Sequence, residues 1–239
     1  IAMAVDAYIP EVTALITPLT VNGAPANAGP ITTLPGDVLE VKIDIKNLGT
    51  EAVNNTKFVI PIPYTADFVA GSLTKNVYPP AAPSPNNYYF DPLLGPKGSI
   101  VYDFGTLPLP SNPSILLADF SFKVKVTEDC SILKNSICSQ NVSFSGLISG
   151  TGAITNTPFI NKPFFIGYTS NGICSGEPIL NPLVINLNST AYVAQNCQNT
   201  PAIREFSYCS PNDAIPITEI SGGFPAGSLF YNEFPVTGT

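Results

Sequence analysis

Histidine and tryptophan are both absent from the 239 residues, and charged residues make up only 11% of them. Without an imidazole, neither a Ser-His-Asp nor a Cys-His nucleophile can be assembled, and no histidine metal site exists. The lack of tryptophan argues against a typical sugar-stacking cleft and leaves tyrosine as the substitute ring. Basic residues are sparse and scattered: ten Lys and Arg stand against seventeen Asp and Glu, for a formal net charge of -7. That excludes a nucleic-acid partner, because phosphate neutralisation needs a clustered basic footprint, and attraction to an anionic membrane goes with it. No apolar run reaches the roughly 18 residues of a membrane span, and no signal-peptide pattern opens the chain. Ile1-Ala2-Met3 looks like an internal cut, so the expectation is a fragment of a longer exported protein with no membrane insertion of its own.

What is present is a turn-rich chain, 44% hydrophobic, with 25 prolines and 18 glycines. No window carries a helical period. The clearest signal is Leu34 to Gly49: after Pro35-Gly36-Asp37, Leu39, Val41, Ile43 and Ile45 alternate with Glu40, Lys42, Asp44 and Lys46. A strict period of two is a strand with one buried and one wet face. It stops at Asn47-Leu48-Gly49, where Gly49 is expected to take a positive φ, and an apolar run from Val53 to Ile62 follows as its antiparallel companion. Leu116 to Val126 repeats the logic, with Leu116, Ala118, Phe120, Phe122, Val124 and Val126 inward and Asp119, Ser121, Lys123 and Lys125 outward. The two strong strands are expected to supply opposite walls of a sandwich. Val12 to Val21, broken by Pro18, reads as an edge strand, and the proline-rich stretch 76–98 as a long surface loop with one short strand. Short strands continue through Ile100 to Phe104, Val142 to Ile148, Phe159-Ile160, Phe164 to Tyr168 and Leu183 to Leu187.

Five cysteines, Cys130, Cys138, Cys174, Cys197 and Cys209, all lie in the second half and form no CxxC pair. They read as a disulfide framework of an oxidising compartment, with connectivity left open by spacing alone. The first choices are Cys130 with Cys138 and Cys174 with Cys197. Residues 198–239 look like the start of a further module, whose Cys209 would bond a cysteine beyond Thr239.

Carboxylate chemistry is what remains for catalysis, and Asp103 and Asp119 are the pair to consider. Both fall on the outward phase of their strands, which makes them solvent-facing residues and the chain no enzyme. Asp37, Asp67, Asp91 and Glu128-Asp129 sit on loops, where they either ligate calcium or cap their own turns. No cofactor is expected beyond that calcium alternative. Tyr88, Tyr89 and Phe90 form either an exposed contact patch for a glycan or protein, or a short strand with one ring in the core. Sequons at Asn54, Asn141 and Asn188 matter only in a eukaryotic secretory setting.

The succession Pro35-Gly36-Asp37, alternating strand, Asn47-Leu48-Gly49, Phe68-Val69-Ala70-Gly71-Ser72, Phe104-Gly105-Thr106-Leu107 and Phe120 to Val126 resembles the conserved-repeat domain found in tandem on bacterial surface proteins. The match covers about residues 34–127. The cysteine-containing half departs from the usual repeat and resembles the longer version in very large surface adhesins of gliding, type IX-secreting Bacteroidetes. The resemblance implies an immunoglobulin-like sandwich acting as stalk or adhesive module, and it carries over no catalytic residue.

The combined expectation is an all-β, immunoglobulin-like antiparallel β-sandwich with a disulfide-containing β extension. Residues 1–197 would form one surface module, with its repeat core at about 34–127 and its extension at 128–197, and 198–239 would begin the next. The expected role is a non-catalytic structural or adhesive module, extracellular and at the cell surface, partnered by neighbouring tandem modules and a surface ligand. The alternative is a carbohydrate-binding module of a secreted polysaccharide-active protein.

Overall fold

Strands with a buried alternate row account for nearly all of the regular structure. The computed structural model describes residues 7–26, 30–134, 140–170, 177–180 and 182–197. In chain order these form β1 (Val12–Val21), β2 (Ala24–Pro25), β3 (Thr32–Thr33), β4 (Val38–Asn47), β5 (Val53–Pro61), β6 (Ala66–Phe68), β7 (Thr74–Val77), β8 (Asn87–Asp91), β9 (Ser99–Leu107) and β10 (Ala118–Val126). After the short helix α1 (Cys130–Leu133) come β11 (Asn141–Phe144), β12 (Leu147–Gly152), β13 (Pro158–Pro163), β14 (Phe165–Tyr168), β15 (Pro178–Leu180), β16 (Leu183–Leu187) and helix α2 (Thr190–Asn196). The chain divides into two compact units, residues 1–190 and 191–239, and the sheets formed by the described residues belong to the first.

The first sheet runs β15-β14-β1-β4-β10-β6, with β2 added to β1 and β7 to β10. The second runs β13-β12-β5-β9-β8, and a small third sheet runs β11-β16-β3. Nearly all pairings are antiparallel; β1 with β14 and β16 with β3 are parallel. Two early strands beside a later one in the first sheet, facing a sheet of the intervening and following strands, is the immunoglobulin-like arrangement. The expected fold class holds.

β4 alternates as its residues dictate: Leu39, Val41, Ile43 and Ile45 are buried, while Glu40, Lys42, Asp44 and Lys46 are partly exposed. Its relation to β10 differs from expectation. The two strands are hydrogen-bonded neighbours, with Ile43 opposite Phe120 and Val41 opposite Phe122, so they build one wall together. Alternation reports which face of a strand is buried and is silent on which sheet it joins. The other wall comes from β5, β9 and β12, which places the β5 run in the sheet facing β4. Between the walls lies an aromatic cluster in which Phe120 meets Tyr88, Tyr102 and Phe58 at centroid distances of 5.2, 5.3 and 6.0 Å. Phe58 also meets Phe164 edge-on at 6.2 Å. Each such ring contributes about 1.5–3 kcal/mol by burial.

Three further expectations are revised. β1 is an interior strand, flanked by β4 and β14, and Pro18 is accommodated by a shift of register before Thr20. Leu117, rather than Leu116, is the buried residue ahead of β10. Gly49 is not in the positive-φ region; a Cβ there would run into the carbonyl oxygen of Ile9 and lie 2.6 Å from the Glu11 nitrogen. Glycine is required at this point by the close passage of the N-terminal segment, whose Ile9 carbonyl accepts from the Thr50 N–H. Gly36 does need its left-handed φ of 88° for the Pro-Gly-Asp turn.

Two polar residues fix the turns around β4. Asn47, fully buried, donates to the Glu51 and Pro108 carbonyls and accepts from the Gly49 N–H. Glu51, 1% exposed, accepts from the N–H of Ile154 at 2.6 Å and from the hydroxyl and N–H of Thr155 at 2.6 and 3.1 Å. Burial alone would raise the Glu51 pKa; the hydrogen bonds from Thr155 and Ile154 outweigh it and hold the carboxyl below its ordinary value.

Candidate functional site

The solvent face of the first sheet carries a recessed polar floor between two apolar shoulders. β7 lies antiparallel to β10 with Thr74 opposite Ser121 and Asn76 opposite Asp119, while β4 flanks β10 on its other side with Lys42 opposite Ser121. Alternation sends these side chains to the same outer face. They enclose a groove of about 380 Å³ lined by Leu19, Glu40, Lys42, Thr74, Asn76, Tyr78, Asp119 and Ser121. Asp119 and Ser121 are each only 6% exposed, although the sequence pattern assigns them to solvent. The side chains of β7 and the residue after it cover them.

The floor is a connected hydrogen-bond network. Tyr78 donates its hydroxyl to Asp119 Oδ2 at 2.6 Å, and Asn76 donates its amide to Asp119 Oδ1 at 2.9 Å. Ser121 and Thr74 share a hydroxyl contact of 2.7 Å, and Ser121 donates to Glu40 Oε1 at 3.1 Å. Thr20 donates to the other Glu40 oxygen, which also faces Lys123 at 3.8 Å. Lys42 bridges Asp44 at 3.0 Å and Asp119 at 3.8 Å. The Lys42 pKa is raised, chiefly by Asp44 and further by Asp119, against a partial opposing effect of burial. Tyr78 is likewise raised, first by its hydrogen bond to Asp119. Both groups therefore stay protonated donors through the neutral range.

The residues singled out from the sequence are dispersed. Asp103 lies on β9 in the second sheet, opposite Lys57 and Asn87, whereas Asp119 lies on the outer face of the first. The two carboxylates are on opposite sides of the sandwich and cannot flank one bond, as glycoside hydrolysis requires. Asp37 accepts from Asn22, Thr33 and the Leu34 N–H, Asp91 accepts from the Leu93 N–H, and Asp129 caps α1 through Ser131. Asp67 pairs with Lys97 at 2.7 Å, and Glu128 pairs with Lys125. Among the described residues, no group of three His, Cys, Asp or Glu is placed to hold a metal.

Tyr88, Tyr89 and Phe90 form the strand β8 and split between its faces. Tyr88 points into the core and donates to the Ser121 carbonyl at 2.8 Å, and burial pushes its pKa far up. Phe90 stacks on Phe68 at 4.5 Å. Tyr89, 42% exposed, is the one of the three left at the surface. The period of two explains the division, since successive rings cannot share a face.

Cys130 and Cys197 are bonded to each other. This replaces both short-range pairings, because neither sulfur remains for Cys138 or Cys174. Cys138, Cys174 and Cys209 lie outside the described residues. Of the sequon residues, Asn188 is exposed, while Asn54 and Asn141 are half-buried on strands.

Tyr78, Asn76 and Thr74 escape sequence reasoning because they fall in or beside a stretch read as proline-rich loop. Only the pairing of β7 with β10 brings them to Asp119, and pairing over 43 positions leaves no local signal.

The fold and its groove define a class, the immunoglobulin-like sandwich with a polar outer face. No family model matches the chain, and no curated protein does. Among solved structures, it is similar to the collagen-binding domain from a Staphylococcus aureus adhesin, at 12% identity and TM-score 0.38, over 72% of this chain and 99% of that one. The full-length major pilin SpaD of Corynebacterium diphtheriae is similar at 14% identity and TM-score 0.38, over 63% of this chain and 33% of that one. A C-terminal fragment of the Streptococcus agalactiae major pilin GBS80 gives 6% identity and TM-score 0.42, over 74% and 56%. No ligand or activity passes to this chain from likenesses at this level.

Proposed function

We propose that this chain is a non-catalytic structural or adhesive module of a large bacterial cell-surface protein. The observation that carries the reading is the construction of the sandwich: its interior is filled by the Phe58, Tyr88, Tyr102 and Phe120 rings, and Asp103 and Asp119 lie on separate outer faces. Such a body has surfaces to offer to a partner. The Cys130–Cys197 bond agrees with an extracytoplasmic location, where disulfides persist. Among the described residues no helix is long and apolar enough to cross a membrane. The motif succession over residues 34–127 favours a tandem-repeat stalk, and its resemblance to gliding, type IX-secreted adhesins gives the parent protein its finer description. In this reading residues 198–239 open the following module, and the partners are neighbouring modules together with a surface ligand. The test is an immunoblot of source cells, with antibody to this chain, before and after external protease. A band far above 25 kDa that disappears on shaving is expected; a protease-resistant band overturns the surface location.

A further inference from the structure

We propose that the groove on the outer face of the first sheet binds a neutral, hydroxyl-rich ligand, a saccharide unit of a surface or matrix polysaccharide. Asp119 and Ser121 are only 6% exposed beneath Thr74, Asn76 and Tyr78, which makes the groove an ordered polar surface rather than a freely solvated strand face. The floor offers acceptors and donors side by side. Asp119 and Glu40 each have lone pairs beyond the donors they already meet, Asn76 has a second N–H, and the Lys42 ammonium has further donors. A vicinal diol both donates and accepts over the same short span, so a carboxylate beside an amide matches it in a way that lipid tails do not.

The shoulders supply the apolar half of the recognition. Tyr78 is 37% exposed and Leu19 41% exposed, and both line the groove. The C–H face of a pyranose can lie against such surfaces, and the Tyr78 ring is already held by its hydrogen bond to Asp119. The charge of the lining sets the ligand class: Glu40 and Asp119 outnumber Lys42, on a chain of net charge -7. Sulfated, phosphorylated or uronic ligands are repelled, and neutral sugars are admitted. A volume of about 380 Å³ lies in the range of small-ligand sites, and the floor stands on hydrogen-bonded strands rather than loops.

This inference deepens the adhesive reading and rests on it for the setting in which the ligand is met. The experiment is titration of the intact chain with neutral gluco-, manno-, galacto- and xylo-oligosaccharides, with a hyaluronan fragment and an arginine-rich peptide as rivals. Tyr78→Ala and Asn76→Ala, both at exposed positions, should weaken saccharide binding by about tenfold or more while the circular dichroism spectrum stays unchanged. Tyr89→Ala, in the other sheet, should bind as the parent does. Absence of neutral-saccharide binding, preference for either rival, or equal loss in Tyr89→Ala overturns the proposal. Saccharide binding by a chain that resists shaving would sink the surface location and leave the groove standing; shaving without binding would do the reverse.

Discussion

Glu51, in the turn after β4, accepts two hydrogen bonds from Thr155, in the turn after β12, one from the hydroxyl and one from the backbone. The contact joins residues 104 positions apart and ties the end of one sheet to the end of the other. Because hydrogen bonding holds the folded pKa below the unfolded one, the stabilisation is present above the unfolded carboxyl pKa and is lost as pH falls through the folded value. Thermal melts from pH 7 down to pH 3 should show this acid limb. Glu51→Gln should have a lower Tm at neutral pH and a flatter decline, and an unchanged acid limb in that variant would remove the role assigned to Glu51.

The Cys130–Cys197 bond closes a loop on the order of 70 residues, for which chain-entropy reasoning gives about 4 kcal/mol of stabilisation. Proteolysis without reductant should yield one linked peptide containing both residues, and denaturant midpoints should fall on adding reductant. A peptide linking Cys130 to Cys138 would contradict the assignment.

Phe120, on the first wall, touches three rings of the second, Phe58, Tyr88 and Tyr102, so truncating it leaves a cavity that the surrounding strands cannot close. Phe120→Ala should cost about 3–5 kcal/mol in urea unfolding, and Phe120→Leu distinctly less. Equal losses would mean that ring geometry, rather than volume, governs the site.

Glycine at position 49 answers to crowding, and at position 23 to backbone conformation. Gly49→Ala must push apart the segment at Ile9 and Glu11 and should cost about 1–3 kcal/mol. Gly23 has φ of 80° with no atom near its would-be Cβ, and Gly23→Ala should cost about 1 kcal/mol. Gly23→Asn should be almost silent, since Asn22 beside it already holds a φ of 51°. The reverse ranking of the two alanine variants would overturn the distinction.

The strands were legible wherever one face is buried and the other wet. Leu39 to Ile45 and Phe120 to Val126 announce themselves because each apolar residue is followed by a polar one, which is how a half-buried pleat must be written. What the alternation leaves out is partnership: nothing in Phe120 says that its neighbour across the ladder is Ile43. The groove was hidden for the same reason. Asp119 and Ser121 look like ordinary outward residues until β7, coming from a stretch dense in prolines, adds Asn76, Thr74 and then Tyr78 beside them. The cysteine bond was beyond reach too, because spacing along the chain favours the near partner, Cys138, while the folded path returns Cys197 to Cys130.

That bond also decides how the module answers to tension. When the chain is pulled from its two ends, force passes across the sulfurs of Cys130 and Cys197, and β11 to β16 lie in the bypassed segment. Those strands can be peeled apart yet add nothing to the reach of the chain. The stretch before Cys130, with β1 through β10, can still lengthen under load. The oxidised chain is thus shorter at full extension than its reduced form by the segment between the two sulfurs.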